Sequence, residues 1–128
     1  MNTLTFNGNV VAGQGSGKKF LDLPWVKQQV EAKLGFTPYL GTLNLQLSDE
    51  SASQRELLLK AESIKICPAE GYCVGAVFNA RIAQTECAVV LPQVEGYPRN
   101  LLEIIAPVNL RQQLHLEEGD EVAVTVRF

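Results

Sequence analysis

Three glycines alternate at Gly13, Gly15 and Gly17, and Lys18 and Lys19 follow at once. Glycine tolerates positive φ and lets backbone N–H groups approach an anion without a Cβ in the way. Gln14, Gly15, Ser16, Gly17, Lys18 and Lys19 together therefore read as a phosphate-cradling loop with two cations beside it. The pattern is neither a Walker A motif, since GxxxxGK[ST] is absent, nor a Rossmann fingerprint, since GxGxG departs from GxGxxG. A flexible connection with solvated lysines would use the same residues.

A second set lies at Thr42 and Asn44. Two residues apart on a strand, both side chains leave one face, with their oxygens roughly 7 Å or less apart. They could meet on one cation. Mg²⁺ takes a few protein oxygens and fills its octahedron with water and substrate phosphates. An amphipathic strand with a wet polar face explains the same pair without a metal.

Farther along, Glu103 is a lone carboxylate in the apolar run LLEIIAP at 101–107. Burial would disfavour its charged form and suit it to act as a general base or hydrogen-bonding anchor. Exposure on a wet strand face would leave it a surface group. Arg111 could hold a phosphate bidentately or remain solvated. His115, the one histidine, falls near the end of a short helix, where a cation meets the negative end of the dipole.

The elements that must hold these groups are mostly strands. Alternation and β-branched content predict strands over 4–11, 42–47, 63–67, 73–82, 86–91, 101–106 and 121–127. A helix is expected over 24–34, with Pro24 in its first turn, Val26, Val30 and Leu34 on one face and Gly35 as its stop. Residues 48–54 read as a polar turn, 55–61 as a short helix or extended segment, and 109–115 as a short helix after Pro107. Many short strands and few helices imply a mostly β, small closed or half-closed barrel with one or two short helices. Regular βαβ units are missing.

Composition is consistent with that architecture. The 128 residues suit one domain over 1–128, with 46% hydrophobic and 20% charged residues. The net charge of −3 argues against a nucleic-acid partner. No apolar run is long enough to span a membrane and no signal peptide is evident, so a cytoplasmic protein is expected. Cys67, Cys73 and Cys87 lack CxxC spacing and read as reduced, partly buried thiols. Neither a zinc site nor a Cys–His pair has a supporting signature.

Taken in order, six blocks resemble the archaeal-type CTP-dependent riboflavin kinases. They are GNVVAGQGSG at 8–17, FLDLP at 20–24, LGFTPYLGTLNL at 34–45, AVVLP at 88–92, EIIAP at 103–107, and the stretch from Leu110-Arg111 to Glu118-Gly119-Asp120. The segment 52–85 matches poorly. The resemblance implies a cradle-loop barrel that moves the γ-phosphate of CTP to the 5′-hydroxyl of riboflavin, giving FMN and CDP. It implies that Gln14 to Lys19, together with Val108, Asn109, Leu110 and Arg111, contact the nucleotide. Thr42 and Asn44 would bind Mg²⁺, while Glu95 and Glu103 would contact the flavin, with Glu103 the first choice to accept the hydroxyl proton. Glu95 departs from the small hydroxyl residue usual at its position, and a carboxylate there would repel a product phosphate.

Two other classes fit parts of the chain. One is a domain that binds nucleotide or flavin without catalysis. The other is a DNA-binding module, because the stretch from Leu110 to Arg127 resembles the swapped-hairpin domains of transition-state regulators. The sequence leaves the oligomeric state open.

Overall fold

A computed structural model of the chain describes residues 2–13, 21–67, 75–92 and 96–128. Seven strands lie among them: β1 (Thr3–Val11), β2 (Leu43–Leu47), β3 (Ile64–Ile66), β4 (Gly75–Ile82), β5 (Thr85–Pro92), β6 (Leu101–Ile105) and β7 (Glu121–Arg127). Three helices are described among the same residues: α1 (Pro24–Leu34), α2 (Asp49–Leu59) and α3 (Leu110–Gln113).

The strand order is β3-β4-β5-β6-β2-β1-β7, and β7 pairs again with β4 through Ala80 and Val126. That last pairing closes six strands into an antiparallel barrel and leaves β3 as an added edge on β4. Closure removes the edges that an open sheet would expose. The mostly β, closed-barrel expectation is met.

Period-two alternation fills the barrel. Along β1, Phe6 and Val10 point inward, and along β7, Val122, Val124 and Val126 do the same. Leu43, Leu45, Val89, Leu91, Leu102 and Ile104 complete this interior from β2, β5 and β6. β4 and β5 are buried on both faces, because α1 packs across their outer side. Val26 and Val30 of α1 meet Val77, Val90, Ala88 and Ile105 there. α1 ends as its sequence indicates, with Gly35 at φ 82° donating its N–H to the Glu31 carbonyl.

α2 departs from the sequence reading. Residues 49–54, expected in a polar turn, form the first half of an 11-residue helix. Ser48 caps it, its side chain accepting from Ser51 N at 3.2 Å, and Asp49 and Glu50 sit in the first turn. The buried face of α2 is Ser51, Arg55 and Leu58, so hydrophobic periodicity had little to reveal. The Asn7 N–H donates to Ser51 Oγ at 2.8 Å and fastens the helix to β1.

Cys67 also differs from expectation, while Cys87 meets it. Cys67 is disulfide-bonded, whereas Cys87 is a free thiol buried in the barrel. A disulfide needs two Cα atoms roughly 4.4–6.8 Å apart in the fold, which the absence of CxxC spacing does not test. Cys73 lies outside the described residues. Among the described residues, no helix is long and apolar enough to cross a membrane.

Candidate functional site

Strand register brings the separate sequence signals together. β2 and β6 pair antiparallel with Asn44 opposite Glu103 and Leu45 opposite Leu102. The leucines enter the barrel, so Asn44 and Glu103 leave on its outer face. Thr42 directly precedes β2, and its Oγ1 donates to Glu103 Oε1 at 3.3 Å. The Asn44 amide nitrogen lies 3.3 Å from both Thr42 Oγ1 and the Thr42 carbonyl. Asn44 is 7% exposed, an unusual state for an amide on the outside of a barrel.

Part of that burial comes from the start of the glycine loop. A Cβ on Gly13 would fall 2.4 Å from Asn44 Nδ2. An added Cβ would therefore have to displace the Asn44 amide or the chain at Gly13, which leaves β1 directly over that amide. The remaining loop candidates, Gln14, Gly15, Ser16, Gly17, Lys18 and Lys19, lie outside the described residues, as does Glu95.

The strand β6 continues past Ile105 into Ala106, Pro107 and α3, and this turn forms the wall of a cavity of about 120 Å³. Val108, Asn109, Leu110 and Arg111 line one side, while Tyr39, Gly41 and Thr42 line the other. Its walls are shaped by local hydrogen bonds. Tyr39 N donates to the Ala106 carbonyl at 2.7 Å, which clips the segment before β2 to the end of β6. Asn109 Oδ1 accepts from Gln112 N at 3.3 Å and caps α3, while its Nδ2 donates to the Tyr39 hydroxyl at 3.1 Å. Arg111 is exposed at the rim and Leu110 anchors the turn in the barrel interior. His115 follows the α3 cap residue Leu114 and is exposed at φ 54°, away from this lining.

Glu103 is half-buried and held at both oxygens. Oε2 accepts from the Tyr97 hydroxyl at 2.5 Å, opposite the Thr42 contact on Oε1. Burial, then the hydrogen bond to the Glu103 carboxylate, pushes the Tyr97 phenol well above its ordinary range. The Arg55 guanidinium carbon sits 5.4 Å from the centre of the Tyr97 ring. Burial lowers the Arg55 pKa from its ordinary value, against the opposing influence of Tyr97.

Sequence reasoning did not single out Tyr97, Arg55 or Tyr39. Tyr97 lies between the strands expected over 86–91 and 101–106, and Arg55 in a segment whose sequence fits either a short helix or an extended form. An arginine on the inward side of a capped helix was the available signal, and it needed the cap at Ser48 to be recognised.

Comparison with known proteins bears on what this cluster serves. Residues 10–126 match the family model of the CTP-dependent riboflavin kinases, described as a domain of unknown function, DUF120. The chain belongs to the CTP-dependent riboflavin kinase family. A riboflavin kinase of Methanosarcina barkeri is 38% identical over 134 residues, covering 99% of this chain and 58% of the relative. One of Saccharolobus solfataricus is 36% identical over 132 residues, covering 98% of this chain and 75% of the relative. One of Pyrobaculum calidifontis is 40% identical over 126 residues, covering 93% of this chain and 58% of the relative. The chain thus spans little more than half the length of the Methanosarcina and Pyrobaculum relatives.

Within this riboflavin kinase family domain, the hydroxyl of Thr42 and the amide oxygen of Asn44 are of the chemical type that a hard divalent cation accepts. Thr42 Oγ1 stands between Glu103 and Asn44, 3.3 Å from Glu103 Oε1 and 3.3 Å from Asn44 Nδ2. Asn44 Nδ2 donates to the Thr42 carbonyl, which only accepts, so Oδ1 is the amide atom left to face a cation. Among the described residues, no group of three or more histidine, cysteine or acidic side chains converges. A cation here would therefore need further anionic oxygens from a ligand.

Proposed function

We infer that this chain carries the catalytic domain of a riboflavin kinase that uses CTP. The terminal phosphoryl group of CTP passes to the 5′-hydroxyl of riboflavin, yielding FMN and CDP. The observation that carries this reading is the convergence of Thr42, Asn44 and Glu103 beneath the start of the glycine loop, in a chain of this family.

Each part has a task in that reaction. The backbone of residues 14–19 cradles the phosphates, with Lys18 and Lys19 adding positive charge. Val108, Asn109, Leu110 and Arg111 contact the nucleotide along the cavity wall, and the Asn109–Tyr39 hydrogen bond keeps that wall in shape. Thr42 and Asn44 hold Mg²⁺, which when bound neutralises phosphate charge. Glu103, with Glu95, contacts the flavin. Its carboxylate orients the 5′-hydroxyl and accepts the proton as the new O–P bond forms. The bond between the γ-phosphorus and the bridging oxygen breaks, and CDP departs with that oxygen. Phosphoryl transfer asks mainly for positioning and charge neutralisation, so this sparse set of groups suffices.

Incubation of the purified protein with riboflavin, Mg²⁺ and each nucleoside triphosphate in turn tests the reading. FMN should form far faster with CTP than with ATP. Equal use of all four would overturn the choice of donor, and no FMN with any of them would overturn the activity.

A further inference from the structure

Glu103 has two holders, and only one of them, Thr42, has a task in the reaction proposed above. Thr42 takes Oε1 from the β2 side, while Tyr97 takes Oε2 from the turn that leads into β6. Tyr97 is in turn covered by Arg55, a residue of α2 that is 6% exposed. The Arg55 Nε has no hydrogen-bond partner among the described residues. A guanidinium buried in this way is costly, and an apolar side chain of similar length would fill the space without that cost. Its contact with the phenol face is therefore the feature to explain.

A glutamate has several rotatable bonds, and a carboxylate gripped at one oxygen can still swing about that contact. Gripping the second oxygen fixes its plane. Small misplacements at a reacting centre cost large factors in rate. The line from α2 through Arg55, Tyr97 and Glu103 to Thr42 supplies such a grip.

We propose that Tyr97, backed by Arg55, is a positioning residue for phosphoryl transfer, holding Oε2 of Glu103 so that Oε1 alone faces Thr42 and the acceptor hydroxyl. The proposal rests on the reading of Glu103 as the group that contacts the acceptor. Tyr97 acts through Glu103 and touches no substrate itself.

Tyr97→Phe removes the hydroxyl and keeps the ring under Arg55. Turnover should fall about tenfold, the range typical of groups that orient a functional side chain. CTP affinity and Tm should stay close to wild type. In a Glu103→Gln background the same change should do almost nothing, because the oriented carboxylate is already gone. Arg55→Met is the second variant and should lower turnover severalfold in the wild type but not in Glu103→Gln. Wild-type turnover in Tyr97→Phe, alongside an impaired Glu103→Gln, overturns the positioning role and leaves the reading of Glu103 standing. Equal losses in both backgrounds, accompanied by a lowered Tm, also overturn it, since that is the signature of a purely structural residue. Wild-type turnover in Glu103→Gln overturns the underlying reading itself.

Discussion

Asn44 and Glu103 stand directly opposite each other on β2 and β6, and Thr42 bridges them from the residue before β2. An amide and a carboxylate far apart in sequence thereby share one outward-facing patch. The patch is held rigidly because the alternate residues, Leu43, Leu45, Leu102 and Ile104, are locked in the barrel. Substitution within the patch should therefore change chemistry more than folding.

That separation gives the first prediction. Thr42→Val removes a hydroxyl at nearly constant volume, and Asn44→Leu removes the amide. Each should lower FMN formation on the order of 100-fold, as expected when a group that stabilises transition-state charge is lost. Thermal unfolding should remain cooperative. CTP binding to the wild type should strengthen on adding Mg²⁺, and both variants should lose that response. Calorimetric titration with and without the ion measures it. An ion-independent wild type would remove the metal role from Thr42 and Asn44.

Gly13 offers a subtler probe. An added Cβ would collide with Asn44 Nδ2 at 2.4 Å, so Gly13→Ala must displace either the amide or the loop. Turnover should fall at least tenfold with little change in fold. A variant with wild-type kinetics would show that the loop start and the Asn44 amide are not functionally coupled.

The strands of the barrel were largely legible from alternation, and Pro24 with Gly35 marked both ends of α1. The site was legible as separate pieces. Thr42 and Asn44 shared a face by period, and Glu103 stood out in its apolar run, but the register that joins them is a long-range property. α2 was hidden because its inward face carries Ser51 and Arg55, polar residues whose burial depends on Asn7 and Tyr97. For the same reason, Tyr97 could not be recognised before Glu103 was placed.

The cap on α2 can be tested by stability. Ser48→Ala removes the acceptor for Ser51 N and should cost about 1 kcal/mol. Tm should drop by a few degrees. Because α2 carries Arg55, turnover should also decline modestly. An unchanged Tm would mean that the helix start is secured by other contacts.

Alkaline pH should destabilise the fold through Cys87. Burial pushes its thiol up to about 12 from an ordinary 9.0. The folded state therefore keeps a proton that the unfolded chain releases. Its contribution is fully present below about pH 9 and is lost as pH rises toward 12. The raised Tyr97 phenol acts in the same direction. Denaturant midpoints should fall between pH 8.5 and 10.5 by roughly the linkage slope of one or two protons, and Cys87→Ala should flatten that fall. Alkylation mapped by peptide mass should leave Cys87 unmodified until the protein is unfolded.

Direct phosphoryl transfer from CTP to riboflavin is the reaction proposed for this domain. Its most direct measurement is a single-turnover reaction with CTP radiolabelled in the γ-phosphate, riboflavin and Mg²⁺, with the products separated by chromatography. Label should leave CTP and appear in FMN, with CDP formed in equal amount, and Glu103→Gln should slow the appearance without weakening CTP binding. Label released only as inorganic phosphate, or retained in CTP while riboflavin is unchanged, would contradict it.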